Sequence, residues 1–220
     1  GYTVAYLQYN SGLHVSTNGA AFAENLEELV RGWPEPLHEI VLVGHSMGGL
    51  VVRSAVHAAE QAQHTWRGKL TKLISIGTPH HGAPLERVGN WFETLLGITR
   101  YSAPLARLGQ LRSAGVTDLR WGNVLDEHWQ GRDRFEPGDD PRTPLPLPAD
   151  VASFAIAGTT ALAGDAALPG DGIVPVDSAL GRHAQPARAL AFSEVFIAHG
   201  TKHLELLEKA AVYNVLRRWL

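Results

Sequence analysis

Between Glu39 and Glu60 a short apolar run passes straight through Gly44-His45-Ser46-Met47-Gly48-Gly49 into a helical pattern, and no other stretch constrains the fold as tightly. Glu39 to Val43 is the kind of β-branched run found in strands buried on both faces. Met47 to Glu60 carries apolar residues at helical spacing. Ser46 therefore falls on a sharp strand-to-helix turn. Such a turn lifts a side-chain hydroxyl clear of the backbone, and the Gly-x-Ser-x-Gly spacing leaves room for strand and helix to approach.

The rest of the first half alternates in the same way, which is how a parallel sheet with helical crossovers reads. Tyr2 to Leu7 is expected as a first strand. Ser16 to Gly32 is expected as a helix, with Phe22, Leu26, Leu29 and Val30 on one stripe and Gly32-Trp33-Pro34 stopping it. Leu70 to Ile76 reads as a third strand, Val151 to Ala157 as a fourth and Ala189 to Ile197 as a fifth. Leu204 to Leu220 closes the chain as an amphipathic helix.

Between the third and fourth strands, residues 80–150 far exceed the roughly 2 to 6 residues of an ordinary βα connection. Helical patterns surround Trp91, Phe92, Leu95 and Leu96, and again Leu105, Leu108 and Leu111, while Pro137 to Pro148 is a Pro/Asp-rich loop. The expectation is one domain over residues 1–220, with a helical cap or lid inserted at about 80–150 over the mouth of the sheet.

A serine on such a turn becomes a nucleophile when an imidazole can take its proton and N–H donors face the developing oxyanion. The Met47 N–H, next in the chain, is the first such donor. This architecture delivers its acid and base after the serine, in the order carboxylate then histidine. Asp171, in Gly170-Asp171-Gly172-Ile173-Val174-Pro175 after the fourth strand, is the favoured acid, with Asp165 in reserve and Asp177 a further rival. Small neighbours let its carboxylate turn inward. His199 and His203 both follow the fifth strand. His203, at the start of the last helix, is favoured as base, and His199 is assigned a structural place at the strand end. The imidazole would take the serine proton during attack and return it to the leaving group, with the carboxylate holding its tautomer.

Other chemistries find little support. Nineteen Lys and Arg against 22 Asp and Glu give a net charge of -3 without any block of one sign, so a nucleic-acid partner is not expected. The absence of cysteine removes disulfides, zinc-thiolate sites and thiol catalysis together. His80 and His81 lack a carboxylate at ligand spacing, so no metal is expected there, and they are read as orienting their loop. No run reaches the about 18 apolar residues of a membrane span. A soluble protein, cytoplasmic or secreted, is the expectation. Gly1 stands where Met would and leads at once into a strand-like stretch, which reads as a start cut from a longer chain.

Taken together, Gly44-His45-Ser46-Met47-Gly48-Gly49-Leu50, Gly77-Thr78-Pro79-His80-His81-Gly82, Asp171-Gly172-Ile173-Val174-Pro175 and His203-Leu204 resemble bacterial lipases and esterases of the α/β-hydrolase superfamily. The nearest resemblance is to the GPI inositol-deacylase-like lipases, and it runs from end to end. It implies a mainly parallel sheet flanked by helices and a carboxylic ester hydrolase that needs no cofactor, acting through Ser46, Asp171 and His203 on a small-molecule or lipid ester. In similar lipases the Thr-Pro-His-x-Gly stretch lies beside the active site and leads into the lid. His45, Trp91, Phe92 and Leu95 are the candidate substrate-binding residues, with Leu96 and Trp121 as further acyl-pocket candidates.

One departure stands out. Relatives carry a His-Gly motif upstream that gives the second oxyanion N–H, and no His-Gly precedes Ser46 here. One lost donor can cost about 100 to 1000-fold in rate, so either an upstream segment supplies it or activity is poor. An acyltransferase using the same three residues, or a binding scaffold without catalysis, are the alternatives.

Overall fold

A computed structural model describes residues 1–84, 113–132, 140 and 142–220. Four strands, β1 (Ile40–His45), β2 (Leu70–Ile76), β3 (Ala152–Gly158) and β4 (Glu194–Ala198), form one sheet in the order β1-β2-β3-β4, every pair parallel. Parallel neighbours need crossovers. Helix α1 (Val15–Arg31) precedes β1, and α2 (Met47–Ala62) links β1 to β2. Short α3 (Ala114–Asp118) lies in the long β2–β3 connection, α4 (Val176–Ala179) between β3 and β4, and α5 (Ala210–Trp219) ends the chain.

The period-two pleat sorts the core. Leu42 and Leu73 face α1 and α2, packing with Ala23, Leu26, Val52, Val56 and the fully buried Trp66. Ile74, Ile76 and Ile156 face the other way, against Val212, Val215 and Trp219 of α5. Ala155 and Ala157 of β3 join a third cluster with Met47, Leu50 and Val51 at the start of α2. β2 is thus covered on both faces, with Leu73 buried on one and Ile74 and Ile76 on the other.

Helix α1 has no cap from its own N-cap residue, His14. Instead the buried Asp118 of α3 accepts from the Val15 N–H at 2.8 Å, and its carboxylate also meets His14 Nδ1 at 3.1 Å and Asn123 Nδ2 at 3.0 Å. The His14 ring lies flat on Trp129, centroids 3.7 Å apart. A carboxylate at a helix start satisfies orphan donors and suits the dipole. Residues 113–129 are thereby pinned to α1.

Three expected elements come out differently. Tyr2 to Leu7 forms no strand: none of the four strands pairs with it, and Val4 and Tyr6 are 68% and 91% exposed. Strand pattern becomes strand only where a neighbouring edge takes the backbone hydrogen bonds. The fifth expected strand is confined to Glu194–Ala198, because the Leu190 N–H is spent on Gly181 O and the Ser193 N–H is the first to reach β3, at Ser153 O. The closing helix is broken into a 3₁₀ turn (Leu204–Leu207) and α5. Leu206 and Val212 both enter the core, yet on one continuous helix residues six apart stand about 120° apart around the axis. The break lets both bury.

Candidate active site

Ser46 holds φ 54° and ψ -129°, a left-handed conformation costing about 1 to 3 kcal/mol for a residue with a side chain. Its N–H donates to Ile76 O of β2 at 2.8 Å, and its own carbonyl accepts from Gly49 N at 3.1 Å. Strand end and helix start are therefore locked around it. The Met47 N–H belongs to the first turn of α2, where N–H groups lack helical acceptors. Crowding around the turn is specific. A Cβ on Gly44 would stand 2.5 Å from the Gly49 backbone, and one on Gly49 would stand 2.8 Å from Thr78 Cγ2 and closer still to its Oγ1. Gly48 is different: its nearest neighbour would be the Tyr9 hydroxyl, at 3.8 Å. The close approach of helix to sheet thus falls on Gly44 and Gly49, not on Gly44 and Gly48.

Asp171 and His203 are each only 2% exposed. His203 Nδ1 donates to Asp171 Oδ2 at 2.7 Å. The other carboxylate oxygen, Oδ1, accepts from the Ile173 and Val174 N–H groups at 3.0 and 2.8 Å, so the loop wraps its own acid. Gly170 and Gly172 supply the φ values of 113° and 96° that this wrapping needs. The two loops are tied again by His203 N–H to Asp171 O at 3.1 Å. Neither rival acid takes part. Asp165 accepts from Leu162 N in an exposed turn, and Asp177 pairs with Arg182 in solvent. His199 carries no bond to either carboxylate oxygen of Asp171; its carbonyl takes the Thr201 hydroxyl.

The His203 ring lies over Gly77, the residue that follows β2. Its Cε1 and Nδ1 would lie 3.2 and 3.3 Å from a Cβ on Gly77, the residue after the Ile76 carbonyl that Ser46 uses. Gly77, at φ 56°, keeps that floor flat. His45, expected among the substrate-binding residues, turns the same way: its Nε2 donates to His203 O at 3.2 Å and the two rings lie 4.8 Å apart. Burial pushes the His45 imidazole down to about 4, helped by the neighbouring His203. It is neutral at physiological pH.

The Gly77–Gly82 stretch is anchored by a basic residue that the sequence reading passed over. Arg53, on the buried side of α2, donates from Nη1 to His80 Nδ1 at 3.3 Å and from Nη2 to Leu145 O at 2.6 Å. Burial, and then Arg142, pull its guanidinium down to about 9. His80 is fully buried against Phe192 and stays neutral, held well below its usual range by burial and by Arg53. Arg142 reaches His80 O and Gly122 O while pairing with Asp140. An Arg inside an otherwise apolar helix face was the available signal. Among the described residues no group of three His, Asp or Glu could hold a metal ion.

Trp91, Phe92, Leu95 and Leu96, and the helical patterns further along the insert, lie outside the described residues. Trp121 is half-buried, with the Arg120 guanidinium 5.0 Å from its ring centroid. Among the described residues no helix is long and apolar enough to cross a membrane.

This geometry can be set beside known proteins. The chain is similar in structure to lipase BlEst2 of Bacillus licheniformis in its mature form, with a TM-score of 0.52 and 18% identity over 94% of this chain and 74% of that one. It is also similar to the metagenomic carboxyl esterase MGS0156, with a TM-score of 0.53 and 17% identity over 94% of this chain and 56% of that one. At such identity the likeness is one of fold, the α/β-hydrolase sheet with flanking helices. No curated protein matches the sequence. The family model described as the PGAP1-like alpha/beta domain matches residues 23–133, from the middle of α1 through the serine turn and into the long insert. That match spans half of the chain, and the chain belongs to the PGAP1-like α/β domain family.

Proposed function

We propose that the protein is a serine hydrolase of carboxylic esters, with Ser46 as nucleophile, His203 as general base and acid, and Asp171 as the group that orients His203. The observation carrying this reading is the buried His203–Asp171 hydrogen bond of 2.7 Å at the end of the sheet where Ser46 sits in its strained turn. In attack, Ser46 Oγ adds to the ester carbonyl carbon while His203 takes its proton at Nε2. Asp171 accepts the Nδ1–H and stabilises the imidazolium. The carbonyl oxygen gathers charge facing the Met47 N–H, at the positive end of the 16-residue α2. Collapse expels the alcohol with the proton from His203, leaving an acyl ester on Ser46. Water, deprotonated by the same imidazole, then releases the acid.

Family membership and the esterase neighbours support the same class of chemistry, with small-molecule or lipid esters as substrates. In this reading residues 1–220 act as one hydrolase domain, and the insert at about 80–150 covers the mouth of the sheet. Labelling with a fluorophosphonate, mapped by peptide mass spectrometry, tests the assignment. Label on Ser46 that is lost in Ser46→Ala and His203→Ala is the expected result. A folded wild-type chain that takes no label would refute the hydrolase and leave a binding scaffold. Product analysis with a competing alcohol separates transfer to water from transfer to a second acceptor.

A further inference from the structure

Among the ties that hold His203, three run to loops or to a neighbouring floor. Its Nδ1 and its N–H both bond Asp171, and its ring rests over Gly77. Another is the carbonyl, which accepts from His45 Nε2 at 3.2 Å. His45 is the last residue of β1 and the immediate neighbour of Ser46. Base and nucleophile otherwise sit on strands at opposite edges of the sheet, since β4 leads to His203 and β1 leads to Ser46.

We propose that His45 is a positioning residue rather than a substrate contact: its Nε2–H clamps the His203 carbonyl and its ring packs against the His203 ring, registering the base to the nucleophile's own strand. This rests on the reading of Ser46, Asp171 and His203 as the reacting set. A carbonyl partner requires a proton on Nε2, so in the neutral ring Nδ1 is the bare nitrogen. The neutral form matters chemically. A ring with its centroid 4.8 Å from that of His203 would, if charged, oppose formation of the imidazolium during attack. Burial, which holds His45 near 4, removes that opposition at neutral pH. The residue before the serine thus has two requirements, a donor at the reach of Nε2 and no positive charge. Neither Lys nor Arg meets both.

The test uses the full 220-residue chain with His45→Phe, His45→Asn and His45→Gln. Phe keeps a ring without the donor, Asn keeps an amide one methylene short, and Gln places an amide N–H at about the reach of Nε2. A misplacement of about 1 Å can cost about 100-fold in rate. On a soluble p-nitrophenyl ester, Phe and Asn are expected to lose about 10 to 100-fold in kcat with KM within about twofold, while Gln recovers most of kcat. Fluorophosphonate labelling of Ser46 should slow in parallel. The far-downfield proton resonance of the His203–Asp171 bond should broaden in Phe and Asn and persist in Gln, in chains whose denaturation midpoints show them folded. Wild-type kcat in both Phe and Asn would overturn the proposal. So would a rise in KM at constant kcat, which is the signature of a substrate contact, or a Gln variant no better than Phe. Failure of the hydrolase reading shows separately, as a wild type that neither labels nor turns over; the proton resonance still reads the clamp in that case.

Discussion

Two adjacent glycines should respond differently to the same substitution. In Gly48→Ala the new methyl meets nothing nearer than the Tyr9 hydroxyl at 3.8 Å, which is ordinary contact, while the helix gains the about 1 kcal/mol by which Ala exceeds Gly. Stability should rise by up to about that amount. In Gly49→Ala the methyl meets Thr78, which is fully buried and presents Cγ2 at 2.8 Å, Cβ at 2.9 Å and Oγ1 closer still. No rotation about the Thr78 side chain relieves this, because Cβ itself is too close and does not move. Overpacking of this kind costs about 1 to 3 kcal/mol, which cancels or exceeds the helical gain. The helical gain is common to both, so the two variants should differ by about 1 to 3 kcal/mol. Gly44→Ala should be worse, about 3 kcal/mol or beyond, since its methyl meets backbone at Gly48 and Gly49 and only separation of α2 from β1 can relieve it. Urea denaturation followed by circular dichroism reads all three, and Thr78→Ala in the Gly49→Ala background should recover part of the loss through a favourable coupling term. Equal midpoints for Gly48→Ala and Gly49→Ala would refute the close approach assigned to Gly49.

Two further outcomes follow from the site. His45, His81 and His128 are each pushed down to about 4, chiefly by burial, and His80 is held well below its usual range, first by burial and then by Arg53. Between about 6.5 and about 4 the unfolded chain binds protons that the native state refuses, so stability should be full above 6.5 and fall as pH drops toward 4; a urea midpoint flat over that range would contradict it. Asp171→Asn keeps an oxygen for the Ile173 and Val174 N–H groups but offers the wrong group to His203 Nδ1, so kcat should fall about 10⁴-fold with the denaturation midpoint near wild type. Asp171→Ala should add a loss of about 1 to 3 kcal/mol in stability for the buried donors it leaves unpaired, and comparison of the two midpoints checks the distinction.

Much of this molecule is written locally. The β-branched run before Ser46, the helical spacing after it and the glycines around Asp171 are short-range signals, and β1, α2, β2 and the Gly170–Val174 turn follow them within a residue or two. Periodicity reports which face of an element is apolar, and that is enough to place a serine on a turn and an acid on a loop. The choice of Asp171 and His203 as candidates came instead from the chain order of serine, acid and histidine that such a fold uses.

What remained for the tertiary structure were pairings between distant segments. Tyr2 to Leu7 carries strand pattern, but a strand exists only where another edge completes its hydrogen bonds, and none of the four strands does so. The sequence favours His203 over His199 only by its place at the start of the last helix; the loop carrying Asp171 tells them apart by two hydrogen bonds to His203. Which glycine the sheet presses against is decided by Thr78, some thirty residues on, and what His45 holds is decided by a carbonyl at the far end of the chain. Sequence pattern encodes the faces of elements, because those depend on neighbours three or four positions away. Contacts between faces depend on how the chain closes on itself, and there the physics is steric fit and hydrogen-bond completion among residues that no local window contains.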